Sequence, residues 1–207
     1  MSDTATQTDE DRIIHKDGYV IVNHKSYEIP WNEDLLQEYY NEGCNCAKND
    51  AVILNLAGNG GGNSFYPERF YEGLNGSNED GLCGAYLPSP TELPDDIKSY
   101  RMRYPAENNA STYNGTLYVV MNMATASSAE MGVSPSYYVK NAVRLGSGTF
   151  GCCTFGSCIT FRLPNSKICF RYGNRLFYYD NFEEGKGFLP DYWIDDKNPV
   201  GVVEAYI

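Results

Sequence analysis

The run from Met123 to Glu130, MATASSAE, follows an apolar stretch, Leu117 to Met121, and carries two adjacent serines among three alanines. Small side chains at Ala124, Ala126 and Ala129 let a backbone bend sharply from strand into helix, which puts the hydroxyl of Ser127 or Ser128 at a helix start. Free N–H groups and the positive end of the helix dipole stabilise an oxyanion forming there, so either serine is a candidate nucleophile for acyl transfer. The same residues also read as a plain helix cap, with Thr125 or Ser127 as the capping hydroxyl and Glu130 closing a capping box. A second run, 57–62 (AGNGGG), leaves the short apolar segment 51–56. Successive glycines adopt backbone angles closed to other residues and let a ligand approach the N–H groups, so this turn can bind an anion. It lacks the Gly-Lys-Ser/Thr of a phosphate loop and the spacing of a dinucleotide fingerprint, which argues against nucleotide binding. Paired with the serine turn, each loop can give one N–H donor to the same tetrahedral intermediate.

These two turns need elements to hold them. Residues 18–23 read as a first strand and 31–44 as a helix with Asn32 as its cap. The run 51–56 is the nearly continuous apolar type expected of a strand buried on both faces, and a second helix follows over 67–74. Between 75 and 114 the chain is rich in Asn, Gly, Pro, Ser and Asp without sustained periodicity, the pattern of a long surface excursion. A strand over 115–123 leads into a helix over 127–141 that Pro135 kinks or shortens, and 142–145 starts another strand. Beyond Thr154 the segments 158–163, 167–172 and 175–179 alternate as antiparallel strands joined at Pro164-Asn165 and Gly173-Asn174. The expected architecture is α/β: residues 1–16 as a disordered tail and 17–207 as a single domain with a strand-rich C-terminal portion.

A chain of 207 residues with 42% hydrophobic content builds one buried core. Sixteen basic against 27 acidic residues leave a net charge of −11, which argues against nucleic acid and anionic lipid as partners. No apolar run approaches a membrane span, and the residues from Met1 to Arg12 are polar and acidic where a signal peptide is basic and then apolar. The compartment stays open, since the acceptor tripeptides at Asn75, Asn109 and Asn114 arise readily by chance. Seven cysteines cannot all pair with one another. With no Cys-x-x-Cys and only His15 and His24 as imidazole ligands, the reading assigns no metal and no cofactor.

Five motifs in order carry a resemblance: Gly18-Tyr19 opening a strand, 56–62 (LAGNGGG), 125–130 (TASSAE), 146–151 (GSGTFG) and 187–191 (GFLPD). Together they resemble the protease core of the carboxy-terminal processing (tail-specific) peptidases, a family that includes the tricorn core, over about Gly18 to Asp195. The resemblance implies a ClpP/crotonase-like α/β core and a serine nucleophile that cleaves peptide bonds of a peptide or protein substrate, often near its C-terminus. By position it makes Ser127 the nucleophile, and the oxyanion hole the N–H of Ser128 with that of Gly61 or Gly62. The bacterial branch has a lysine base where this chain has Cys152, 152 − 127 = 25 residues beyond the serine. A neutral thiol is a weak base, and a thiolate disfavours a nearby oxyanion. The tricorn-like branch uses a histidine base from an N-terminal region ahead of a PDZ domain, with a glutamate at the place of Glu184. No residue here aligns with that histidine, which leaves His24 as a possible base, or a second polypeptide or missing N-terminal/PDZ region completing the site; His24 otherwise reads as a surface histidine. Two further departures are Ala57 for the family's arginine and Asn55 for its aspartate. Three functions follow: a serine-type endopeptidase impaired at the base position, a catalytically inactive scaffold that binds extended peptides, or a thiol enzyme built on Cys152 or Cys153.

Overall fold

The two most apolar runs of the sequence become the central strands of a parallel sheet. A computed structural model of the chain describes residues 12–76, 84–85, 101–103, 111–177, 179 and 181–207. In chain order its strands are β1 (Ile13–His15), β2 (Tyr19–Asn23), β3 (Ala51–Asn55), β4 (Gly84–Ala85), β5 (Arg101–Arg103), β6 (Thr116–Met121), β7 (Ala142–Gly146), β8 (Phe155–Arg162), β9 (Cys169–Leu176) and β10 (Tyr192–Trp193). Its helices are α1 (Glu33–Cys46), α2 (Phe65–Asn75), α3 (Ser128–Val133) and α4 (Pro199–Glu204), with a 3-10 turn at Ser134–Tyr138. Six strands form one sheet in the order β1-β2-β3-β6-β7-β10. All neighbours are parallel except the β1–β2 pair at the edge.

Alternation along each strand divides the core in two, because successive side chains leave a strand on opposite faces. Val20, Val22, Val52, Leu54, Leu117 and Val119 pack in one cluster with Leu36 and Tyr39 of α1 and Phe70 and Tyr71 of α2. Ile21, Ile53 and Val120 lie on the other face with Val203 of α4. The continuous apolar runs thus mark strands covered on both sides, as expected of a parallel sheet. Helix α1 starts where Asn32 Oδ1 accepts the Leu35 N–H at 3.1 Å. It crosses α2 at glycines: a Cβ on Gly43 would lie 2.0 Å from the Phe70 carbonyl oxygen, and one on Gly73 2.0 Å from that of Tyr40.

The fold is the expected α/β one, with three local differences. The segment expected as a tail through residue 16 contains β1, whose Ile13 and Ile14 are half-buried and pair with Val22 and Ile21; residues 1–11 lie outside the described residues. The helix expected to reach 141 ends at Val133 and tightens into the 3-10 turn, since Pro135 has no N–H to continue the ladder. Gly173 and Asn174, read as a reversal, lie inside β9, where Gly173 pairs with Cys158, so the expected three strands are two long ones turning at 164–166. Most of the 75–114 excursion lies outside the described residues. No helix among the described residues is long and apolar enough to cross a membrane.

Candidate active site

Parallel pairing puts the C-terminal ends of β3, β6 and β7 along one edge of the sheet, the edge at which α/β proteins bind ligands. The glycine turn leaves β3 there, the serine turn leaves β6, and 147–154 leaves β7. Asn59, fully buried, organises the first of these loops. Its side chain accepts the Gly61 N–H at 2.9 Å and donates to the His24 carbonyl at 2.8 Å, while its own carbonyl accepts the Ala126 N–H at 2.9 Å. One asparagine therefore joins the end of β2, the glycine turn and the serine turn. Thr125, also buried, adds a second tie by donating to the Leu56 carbonyl at 2.9 Å.

The two turns meet. Gly61 has φ 96, and a Cβ there would lie 2.8 Å from the Ser127 Cβ and 2.9 Å from the Ser128 nitrogen. Any side chain at 61 forces the loops apart. We expect Gly61→Ala to stay folded but to cut covalent labelling of Ser127 at least about tenfold, reflecting roughly 1–3 kcal/mol of backbone strain at the turn. Labelling kinetics beside a far-ultraviolet dichroism spectrum check this; unchanged labelling would show that the turns need not touch.

Ser127 sits at the N-cap of α3 with φ 54 and ψ −121, a conformation rare for a residue with a side chain. Such a strained strand-to-helix bend is how hydrolase nucleophiles are held clear of their sheet. The structure separates the two candidate serines, because the buried Ser128 hydroxyl donates to the Gly62 carbonyl at 2.6 Å. The N–H of Gly61 is engaged by Asn59, whereas those of Gly62 and Ser128 have no acceptor among the described residues.

Glu130 is the residue whose part exceeds its sequence reading. It does close the capping box, its Oε2 accepting the Ser127 N–H at 2.9 Å. The same buried carboxylate also accepts the Thr149 hydroxyl at 2.6 Å, the Gly151 N–H at 2.7 Å and the Cys152 N–H at 2.9 Å. It thereby fixes the serine turn to the loop after β7. The Thr149 hydroxyl accepts the Phe188 N–H at 2.8 Å in turn, so the GTFG and GFLP motifs are joined through it. The only signal in the sequence was a glutamate three residues after a serine, which a cap alone satisfies.

Cys152 lies on the loop that Glu130 ties to the serine turn, and its thiol is influenced by both the Ser127 N–H and the Glu130 carboxylate. Burial, then the Glu130 charge, push that thiol above its ordinary value, against the opposing pull of the Ser127 N–H. Cys153 is buried and pushed up further, again chiefly by burial. Neither is a thiolate near neutral pH, which leaves the thiol-enzyme reading without an activated sulfur. Glu184 is exposed, and its Oε2 accepts the Thr154 N–H at 2.9 Å beside the same loop.

His24 is not a surface histidine; it is 1% exposed. Its Nδ1 lies 2.8 Å from the Tyr27 hydroxyl and its Nε2 2.7 Å from Glu42 Oε1, inside a cluster with Tyr39, Phe70 and the Arg12–Glu42 ion pair. With both ring nitrogens engaged, it holds the end of β2 instead of facing Ser127. Glu42 is held below the usual carboxylate range by His24 and Arg12, which outweigh its burial. His15 is exposed on edge strand β1, three strand positions from β6, or about 14 Å across the sheet. The structure thus gathers Ser127, Ser128, Gly61, Gly62, Cys152 and, at the loop's far side, Glu184, and leaves both histidines elsewhere.

The chain has a parallel-rich α/β fold with glycine and serine turns at the C-terminal edge of its sheet, and this fold matches that of solved peptidase structures. Among solved structures the chain is similar to a lipoprotein from Streptococcus agalactiae, at 18% identity and a TM-score of 0.63 over 94% of this chain and 68% of that one. It is also similar to the photosystem II D1 C-terminal processing protease, at 17% identity and 0.59 over 89% of this chain and 46% of that one. Mature CPAF in complex with lactacystin is similar at 13% identity and 0.59, over 84% and 47%. At these identities the likeness is one of fold. The chain spans 46 to 68% of the length of these three structures. No family model and no curated protein matches the sequence.

Proposed function

We propose that this chain is a serine-peptidase-like protein that receives the carbonyl of an extended peptide at Ser127 and cleaves it slowly, for want of a base at position 152. The observation that carries the reading is the backbone of Ser127, held at φ 54 against Gly61, with two N–H groups in the flanking turns, on Gly62 and Ser128, that have no acceptor among the described residues. Attack by the hydroxyl gives a tetrahedral oxyanion, for which those N–H groups are the donors. Glu130 holds the serine turn in place, and Glu184 braces the loop that carries Cys152. Phe150 and Met123, 57% and 61% exposed on the loops beside Ser127, offer apolar contacts to substrate side chains. The slow step is removal of the serine proton. The thiol of Cys152 stays protonated and has no basic lone pair to match an amine, and both imidazoles lie elsewhere.

The neutral thiol also favours a second reading, a protein that keeps the peptide site for binding alone, by strand addition. A fluorophosphonate probe separates the two, since it is a far stronger electrophile than a peptide bond and, over long incubation, labels an oriented serine even where its proton is removed slowly. Labelling at Ser127, abolished by Ser127→Ala, with peptide turnover close to background, is the expected result. Peptide binding without any labelling would leave the binding role only, and fast turnover by the wild-type chain would show that a base reaches Ser127 after all.

A further inference from the structure

On the sheet face opposite α1 and α2, the strands β6, β7 and β10 and helix α4 enclose a cleft of about 610 Å³. Helix α3 packs with the cluster on the other side, so this cleft is separate from Ser127. Four aromatic rings line it, those of Tyr118, Tyr192, Trp193 and Tyr206, together with Asp195 and Asp196 over an aliphatic floor from β7. Tyr192, Trp193 and Tyr206 are 65%, 67% and 85% exposed and therefore within reach of a solute. Among the described residues none of the four rings packs on another aromatic ring, and no arginine lies over any of them. Asp195 has no ion pair among the described residues, while Asp196 accepts the Asn198 N–H at 2.7 Å.

The faces of aromatic rings are negative and attract a cation lying within about 6 Å of the ring centre, most strongly where water is displaced. Rings that share a cleft without filling it by contact with one another leave that attraction unused. Two carboxylates set the same sign of potential, and the volume is that of a small-molecule site. A metal ion would need convergent oxygen ligands, whereas most of this lining is ring and aliphatic surface. The geometry points to a binding site for a small alkylated ammonium ion, a trimethylammonium group of the choline type, held by the rings and balanced by Asp195.

Trp193 supplies the readout. In Trp31→Phe protein it is the sole indole, since the chain has two tryptophans. The protein is titrated with choline and, in parallel, with choline's neutral carbon isostere, in which a tert-butyl group replaces trimethylammonium. The expected result is a saturable change in Trp193 emission with choline, at an affinity at least about tenfold above that of the isostere. Tyr206→Ala, at an exposed position that folding does not need, should weaken choline roughly five- to tenfold. Asp195→Asn should weaken choline while leaving the isostere unchanged. A flat titration, or an isostere that binds as well as choline, would overturn the proposal, the latter by showing a purely apolar cleft.

Discussion

Cys152→Lys should raise peptide hydrolysis by about 10²–10⁴-fold, the range contributed by a positioned general base. The structure places residue 152 beside the serine turn, where its side chain is influenced by the Ser127 N–H, and its backbone is fixed by the Cys152 N–H bond to Glu130. A lysine grafted there begins from an anchored Cα beside the serine turn and carries its amine on a flexible four-carbon stem. Two influences act on that amine. Burial disfavours its charged form and lowers its pKa, while the neighbouring Glu130 carboxylate favours the ammonium and raises it. In either case the neutral amine is the base, so activity must rise with pH through the lysine pKa and then level off. A methionine at 152, which has no ionisable group, gives no such rise. Steady-state rates on an unstructured peptide from pH 6 to 10, with Cys152→Met as a non-basic control and Ser127→Ala in the lysine background, test the point. If the lysine variant folds, still labels at Ser127 and yet gains nothing, the missing base is not what limits this chain.

How much of this was legible in the residues depends on the range over which each feature is decided. The central strands were readable because 51–55 and 116–121 are apolar on both alternations, and burial on both faces is what that pattern requires. The serine turn was readable because alanines and a glycine run are local necessities of tight backbone. Glu130 was readable only as a cap, since three of its four donors lie 19 to 22 residues further along and nothing in their types announces a shared carboxylate. His24 misled for the same reason: its burial is set by Glu42, 18 residues away on α1, and a lone histidine after a strand has no local mark of an ion-paired core. Gly173-Asn174 looked like a turn by composition. In the fold a Cβ on Gly173 would lie 3.0 Å from the backbone of Phe155, so its lack of a side chain serves close strand approach, a use that residue type alone does not distinguish from reversal.

Glu130 carries the second large effect, and it joins stability to the site. Each of its oxygens takes two hydrogen bonds: Oε1 from the Thr149 hydroxyl and Gly151 N–H, Oε2 from the Ser127 and Cys152 N–H groups. Glu130→Ala orphans four donors, each costing about 1–3 kcal/mol when left buried and unpaired. Water entering the emptied space restores part of this, so a net loss of about 3–5 kcal/mol is expected, and with it a fall in Tm of roughly 6–20 °C for a domain of this size. Glu130→Gln is no remedy, because either orientation of the amide turns its NH₂ toward two donors. Stability alone does not separate a positioning role from a packing role, and Met131→Ala on the same helix supplies the contrast. Met131 is 5% exposed in the main core cluster, and its truncation costs about 2–5 kcal/mol by cavity formation without touching the serine turn. At a temperature where both variants are folded, Met131→Ala should keep near wild-type fluorophosphonate labelling while Glu130→Gln loses at least about tenfold. Equal labelling in the two would mean that the Ser127 conformation is held by Gly61 and Asn59 alone, and that the carboxylate is a structural tie between loops with no bearing on the nucleophile.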